Sequence, residues 1–194
     1  MQREDLSQYL IHWTKGQSYE EAYNALLNIC FDGVIHGGTR GVTGGESVIC
    51  FTETPAKIFH SNTIGEFKPF GIQFKKIEIF KKGGLPVIYQ PNSDLKYLDP
   101  SIHWRHVEFS IGSNGKNRNF TWQREWRVKT KFLKIESPAT IIVPDREWVE
   151  RIVNDFSSEY LKRGQEDNYD RLCCINQKYA NKRLYFFEKL RLLG

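Results

Sequence analysis

Strand-like patterning fills the middle of this chain, and helical patterning is confined to its two ends. That order leaves no strand–helix alternation from which to build a doubly wound sheet. Tyr9 to Thr14 reads as a short strand broken by Lys15-Gly16. Ser18, with Glu21 three residues on, has the spacing of a capping box. It predicts a helix from Tyr19 to about Cys30, with Tyr23, Leu26, Leu27 and Cys30 on one face and Gly33 as its stop. Strands are then predicted at Ser47 to Thr52, Phe70 to Phe80, Leu85 to Tyr89, Thr121 to Phe132 and Ala139 to Val143. Residues 91–107 read as irregular or a short helix, and Ser113-Asn114-Gly115 as a turn. Asp145 caps a second amphipathic helix that runs to about Leu161, and Tyr169 to Leu193 reads as mostly helical. The expected fold is α+β, a mostly antiparallel mixed sheet flanked by helices. The 194 residues fit a single domain, 1–194, with its core at about 9–163 and a C-terminal helical segment at about 169–193.

The formal net charge is +5, and the excess is uneven. Residues 115–134 carry Lys116, Arg118, Arg124, Arg127, Lys129, Lys131 and Lys134 against the single acid Glu125. A second basic run is Lys75-Lys76 with Lys81-Lys82. Such patches suit phosphate-bearing partners, nucleotide or nucleic acid, or are simply a solvated basic face. No apolar stretch is long enough to span a bilayer, and Met-Gln-Arg-Glu-Asp-Leu at the start does not read as a secretory signal. Cys30, Cys50, Cys173 and Cys174 lack the spacing of a zinc site or a disulfide framework. They are read as reduced core thiols of a cytoplasmic protein, and no metal is expected.

Three places carry candidate chemistry. In a strand over Trp122-Gln123-Arg124-Glu125-Trp126-Arg127, Gln123, Glu125 and Arg127 would share one face, with Trp122, Arg124, Trp126 and Val128 on the other. A carboxylate between two binding groups can stabilise a developing cation or accept a proton. The alternative is a surface charge ladder over a Trp-rich core. His12 and Thr14 share a face of the first strand, and His12 is either a ligand contact or a structural histidine. In Phe51-Thr52-Glu53-Thr54, Thr52 and Thr54 would share one face and Phe51 and Glu53 the other. Their hydroxyls would position a sugar or mark a strand terminus. The glycine-rich loop 36–46 would cradle phosphate through backbone amides, although it matches no P-loop or dinucleotide fingerprint.

Ile11-His12-Trp13-Thr14, Ile49 to Pro55, Pro69 to Ile72, Gly84 to Tyr89 and Trp122 to Arg127 occur in this order. Over about residues 9–145 they resemble a bacterial group that includes abortive-infection (phage-resistance) proteins and carries a Trp-x-x-Glu-Trp-Arg signature. More distantly, the chain resembles ADP-ribosyltransferases, mixing features of their His-type and Arg-type subclasses. That resemblance implies an ADP-ribosyltransferase-like fold and an enzyme with NAD as substrate, acting in antiphage defence on a protein or nucleic-acid acceptor. It implies that His12 and Thr14 hold the NAD ribose or amide and that Phe51 and Thr52 shape the nicotinamide pocket. Gln123-x-Glu125 resembles the Gln-x-Glu element, with Arg124 or Arg127 on a phosphate and Glu125 catalytic together with His12. Two other readings stand beside it: a nucleic-acid-binding module or nuclease-like effector, and a non-catalytic antitoxin or sensor with a cognate partner. The enzyme reading requires His12, Thr52 and Glu125 to converge on one cleft.

Overall fold

Strand β1 (Tyr9–Lys15) buries Leu10, Ile11, Trp13 and Thr14, residues of both its faces. A strand apolar on both sides belongs inside a sheet covered on both sides, and β1 lies there. The computed structural model describes residues 6–56, 58, 67–112, 117–136, 139–163 and 185–186. Besides β1, its main sheet contains β3 (Val48–Thr52), β4 (Phe67–Lys75), β5 (Leu85–Pro86), β8 (Glu125–Lys129), β10 (Thr140–Val143) and β11 (Tyr185–Phe186). Among the described residues the order is β11-β10-β4-β1-β3-β8-β5. Every pairing is antiparallel except β10 with β11. Two small ribbons flank it: β2 (Val34–His36) with β9 (Phe132–Lys134), antiparallel, and β6 (Ile88–Gln90) with β7 (His106–Glu108), parallel. The chain is therefore α+β with a mostly antiparallel sheet.

Helix α1 (Tyr19–Asp32) starts where Ser18 Oγ accepts from the Glu21 amide and ends at left-handed Gly33, φ 62°. The Glu21 carboxylate caps back onto the Gln17 amide at 2.8 Å. Ala22, Tyr23, Leu26 and Cys30 of α1 pack on Leu10, Ile49, Phe51, Phe70, Ile72 and Phe74 of the sheet. Helix α3 (Arg146–Arg163), capped by Asp145 on the Trp148 amide, adds Val149 and Ile152 to the same core. Phe70 meets the Trp148 ring edge-on at 4.8 Å, and Arg151 lies over Tyr23 and Trp148. The opposite sheet face carries a smaller cluster of Ile11, Trp13 and Ile142 against Trp122.

Four stretches depart from the sequence expectation. Residues 76–80 are not strand: helix α2 (Lys76–Lys81) turns Ile79 into the core and leaves Ile77 and Phe80 exposed. Leu85 to Tyr89 divides between two sheets: Leu85 and Pro86 pair with β8, the Val87 amide adds one more bond to the Glu125 carbonyl, and from Ile88 the chain pairs with β7 instead. Thr121 to Phe132 is three pieces. A 3-10 turn at Thr121–Gln123 leads through left-handed Arg124 (φ 46°, ψ 56°) into β8, and β9 follows separately. Residues 91–107 do not depart: expected as irregular or a short helix, they form two 3-10 helices, Asn92–Tyr97 and Pro100–Arg105, before β7. In the segment 169–193, Tyr185 and Phe186 pair parallel with Ile142 and Val143, so these two are strand and not helix. The rest of that segment and the turn at Ser113-Asn114-Gly115 lie outside the described residues.

Gly71 pairs with Trp13 on one side and Ile142 on the other. A Cβ there would stand 2.8 Å from the His12 carbonyl oxygen and 2.9 Å from the Trp13 ring. Overpacking between central strands typically costs about 1–3 kcal/mol. Gly71→Ala is expected to lower urea-unfolding stability by that amount; wild-type stability would show that β1 and β4 are not packed this closely.

Candidate functional site

Pairing register assigns each candidate to a face of the sheet. Thr52 stands opposite Glu125 and Cys50 opposite Arg127, while Ile11 stands opposite Thr52. Directly paired residues project to the same side, so Cys50, Thr52, Glu125 and Arg127 share the face of Ile11 and Trp13. His12 stands opposite Ile72, and Phe51 opposite Trp126. These side chains belong to the other face, the one packed under α1 and α3. Thr14 is on that side too: its hydroxyl is buried and donates between the carbonyls of Ala22 and Phe70, at 2.8 and 3.1 Å. It ties β1 to α1 and β4.

Glu125 lines a cavity of about 470 Å³ together with Gln123, Arg127 and Lys15. Arg127 is only 6% exposed. Its Nε donates to the Glu125 carboxylate at 2.7 Å, and its Nη1 donates to the carbonyls of Trp104 and His106 at 2.7 and 3.2 Å. One guanidinium thus joins the catalytic candidate to the arm that leaves the main sheet at Ile88 and carries Trp104 and His106. Tyr89 belongs to the same arm, and its phenol oxygen accepts the Glu125 amide at 3.0 Å. Burial, with the Glu125 charge nearby, pushes the Tyr89 hydroxyl up to about 12. Cys50 presents its sulfur beside Glu125; burial first, then the Glu125 charge and a hydrogen bond to it, push the thiol up to about 12. Cys30 is a buried core thiol; Cys50 is surrounded by protein around its sulfur, but the residue as a whole is exposed on the cavity-side face of the sheet and is not part of the core, and Cys173 and Cys174 lie outside the described residues.

Gln123 reaches the cavity by a route that strand alternation does not describe. Left-handed Arg124 breaks the strand just before Glu125, and the 3-10 turn presents Gln123 to the cavity. The same turn carries Trp122 to Ile11 and Trp13, whereas Trp126 packs against the core on the helix side. The two tryptophans therefore do not share a face. Thr54 donates to the Trp122 carbonyl, and Glu53 accepts from Trp126 Nε1 at 2.8 Å and Lys76 at 2.6 Å. The expected division of Thr54 from Glu53 holds even though β3 stops at Thr52.

His12 does not line the cavity. Its Nδ1 lies 2.9 Å from the Cys50 carbonyl, where only a protonated Nδ1 can donate, and its ring meets Phe51 edge-on at 5.9 Å. It fills the seam where β1 and β3 part after their single pair, Ile11 with Thr52. Of the three residues expected to converge on one cleft, only Glu125 lines the cavity: Thr52 is its register partner outside the lining, and His12 lies on the other face and reaches that group only through the backbone of Cys50, so the three do not converge. Phe51, Thr14 and Arg124 likewise lie outside the cavity lining. Residues that sequence reasoning did not single out line the cavity instead, Lys15, Thr43 and His106, while Tyr89 holds the Glu125 amide from outside the lining.

Among the described residues, the basic stretch 115–134 does not form one stripe. Arg127 is buried, Arg118 pairs with Glu108 at 2.9 Å, and Lys129 pairs with Glu46 at 2.7 Å. In the second run, Lys76, Lys81 and Lys82 pair with Glu53, Glu78 and Glu136. No described helix is long and apolar enough to cross a membrane. Compared with protein-family models, curated proteins and solved structures, the chain shows no match.

Burial holds the His12 pKa below its ordinary 6.5; the Cys50 carbonyl opposes that shift and the Lys15 charge adds to it. Below pH about 6.5 the unfolded chain takes up a proton at this site before the native one does, so stability falls as pH drops through that value. His12→Gln is expected to flatten the fall in urea-unfolding stability between pH 7 and 5. An equally steep fall in the variant would place the acid sensitivity elsewhere.

Proposed function

We propose that the cavity binds NAD as a substrate and that Glu125 acts on its nicotinamide ribose, in an ADP-ribosyltransferase-like reaction serving bacterial antiphage defence. The observation that carries this reading is the Glu125 carboxylate recessed in a polar cavity beside Gln123 and gripped by Arg127 Nε at 2.7 Å. A volume of about 470 Å³ is in the range of small-molecule sites. In the reaction, the bond from ribose C1′ to the pyridinium nitrogen breaks and its electron pair stays on nicotinamide, which leaves neutral. C1′ becomes an oxocarbenium-like cation. A carboxylate fixed beside it needs no reorganisation as that charge develops. The acceptor, on a protein or a nucleic acid, then bonds to C1′ and releases a proton.

Some residue roles implied by resemblance are revised in this proposal. Thr52 braces Glu125 as its register partner. Gln123 and Lys15 supply ligand contacts from the cavity wall. His12 keeps the β1–β3 seam in shape through Cys50. Thr14, Phe51 and Arg124 act on the frame. Arg127 holds Glu125 and the arm, so it is a positioning residue.

Two observations favour the non-catalytic sensor instead: the carboxylate of Glu125 already accepts a buried guanidinium, and neither His12 nor Thr52 joins Glu125 in the cavity lining. The same experiment separates the two. Incubating the purified chain with labelled NAD and cell lysate is expected to consume NAD and transfer label, and Glu125→Gln to reduce both roughly 100- to 1000-fold while still binding NAD. Binding without turnover in the wild type would establish the sensor and reject the enzyme.

A further inference from the structure

His106 is 1% exposed and lines the cavity, yet among the described residues its Nε2 has no hydrogen-bond partner. Buried polar atoms are nearly always paired, and an exception calls for a reason. Its other ring nitrogen, Nδ1, lies 3.3 Å from Thr43 Oγ1. Thr43 lines the cavity as well, with Gly41 and Val42 of the glycine-rich loop. With the Thr43 hydroxyl donating to Nδ1, the ring hydrogen sits on Nε2, which is then a donor awaiting an acceptor. The His106 backbone is fixed separately, because its carbonyl accepts from Arg127 Nη1.

A ring N–H at a cavity wall takes an acceptor oxygen, and the cations Lys15, Arg118 and Arg127 line the same cavity, Arg118 and Arg127 each already shared with an acid, Glu108 and Glu125. Gly41, at φ 72°, has open space where a Cβ would stand, so a ligand can approach the loop closely there.

We infer that His106, oriented by Thr43, is the anion-binding donor of this cavity and takes a phosphate oxygen of a nucleoside diphosphate. This deepens the NAD reading and rests on it, but it is tested apart from turnover. It assigns the glycine-rich loop and His106 to the phosphates, away from the reacting ribose at Glu125.

The test is calorimetric titration of the full chain with ADP, adenosine and inorganic pyrophosphate. ADP is expected to bind at least tenfold more tightly than either of the others. Thr43→Val is expected to weaken ADP several-fold, and His106→Phe about tenfold, as for the loss of one hydrogen bond to a charged group. Adenosine binding is expected to be unchanged in both. Thr43 is at the loop surface, so its variant keeps the proposal testable if His106→Phe fails to fold. Equal ADP affinity in wild type and Thr43→Val, or no ADP binding at all, would overturn the inference. Pyrophosphate binding as tightly as ADP would reject the nucleoside. ADP binding that depends on Thr43 without any NAD turnover would reject the enzyme reading and leave this one standing. NAD turnover with ADP affinity indifferent to Thr43 would do the reverse.

Discussion

The buried guanidinium of Arg127 is the interaction on which the rest of the site depends. It leaves β8 toward the sheet face that α1 and α3 do not cover. There it meets the carbonyls of Trp104 and His106 and the carboxylate of Glu125. A buried ion pair is in itself weak evidence of stability, since desolvation offsets most of its attraction. Its removal is another matter: an unpaired buried carboxylate costs roughly 3–5 kcal/mol. Lysine would not replace it, because a single ammonium cannot direct Nε and Nη1 donors along fixed directions.

Among its described residues, the arm between Ile88 and Gln123 buries little apolar surface. Trp104 is buried, but Tyr97, Ile111 and Phe120 are exposed. Polar ties hold it instead: Arg127 to two carbonyls, the Tyr89 phenol to the Glu125 amide, and Arg105 Nε to the Pro86 carbonyl at 3.0 Å. The cavity is the space between this arm, the glycine-rich loop and the sheet. A site built this way has one rigid wall, the strand that presents Glu125, and one wall fastened by hydrogen bonds.

What was legible in the sequence follows from how local its causes are. Helix α1 was readable because Ser18, Glu21 and Gly33 are near neighbours that set its ends. The strands β1, β3, β8 and β10 were readable because alternation is a two-residue property. Alternation correctly grouped His12 with Thr14 and Glu125 with Arg127, but it says nothing of which group faces the helices. That depends on register between strands, which is a long-range fact. The 3-10 turn before Glu125 was hidden because Arg124 adopts a left-handed conformation without the usual glycine or asparagine. Helix α2 was hidden because six residues of mixed charged and apolar type, Lys-Ile-Glu-Ile-Phe-Lys, are too short to separate the two periods. Tyr89 lies 36 residues from Glu125, and Thr43 lies 63 from His106. No spacing rule connects residues that far apart.

Hydrogen exchange measured by mass spectrometry, comparing wild type with Arg127→Met, tests the central role of this side chain most directly. The account predicts that protection collapses across residues 86–108 and around Glu125, while α1 and the paired amides of β1 and β4 stay protected. Unchanged protection in 86–108 would contradict it, because the arm would then be held to the sheet by something other than Arg127.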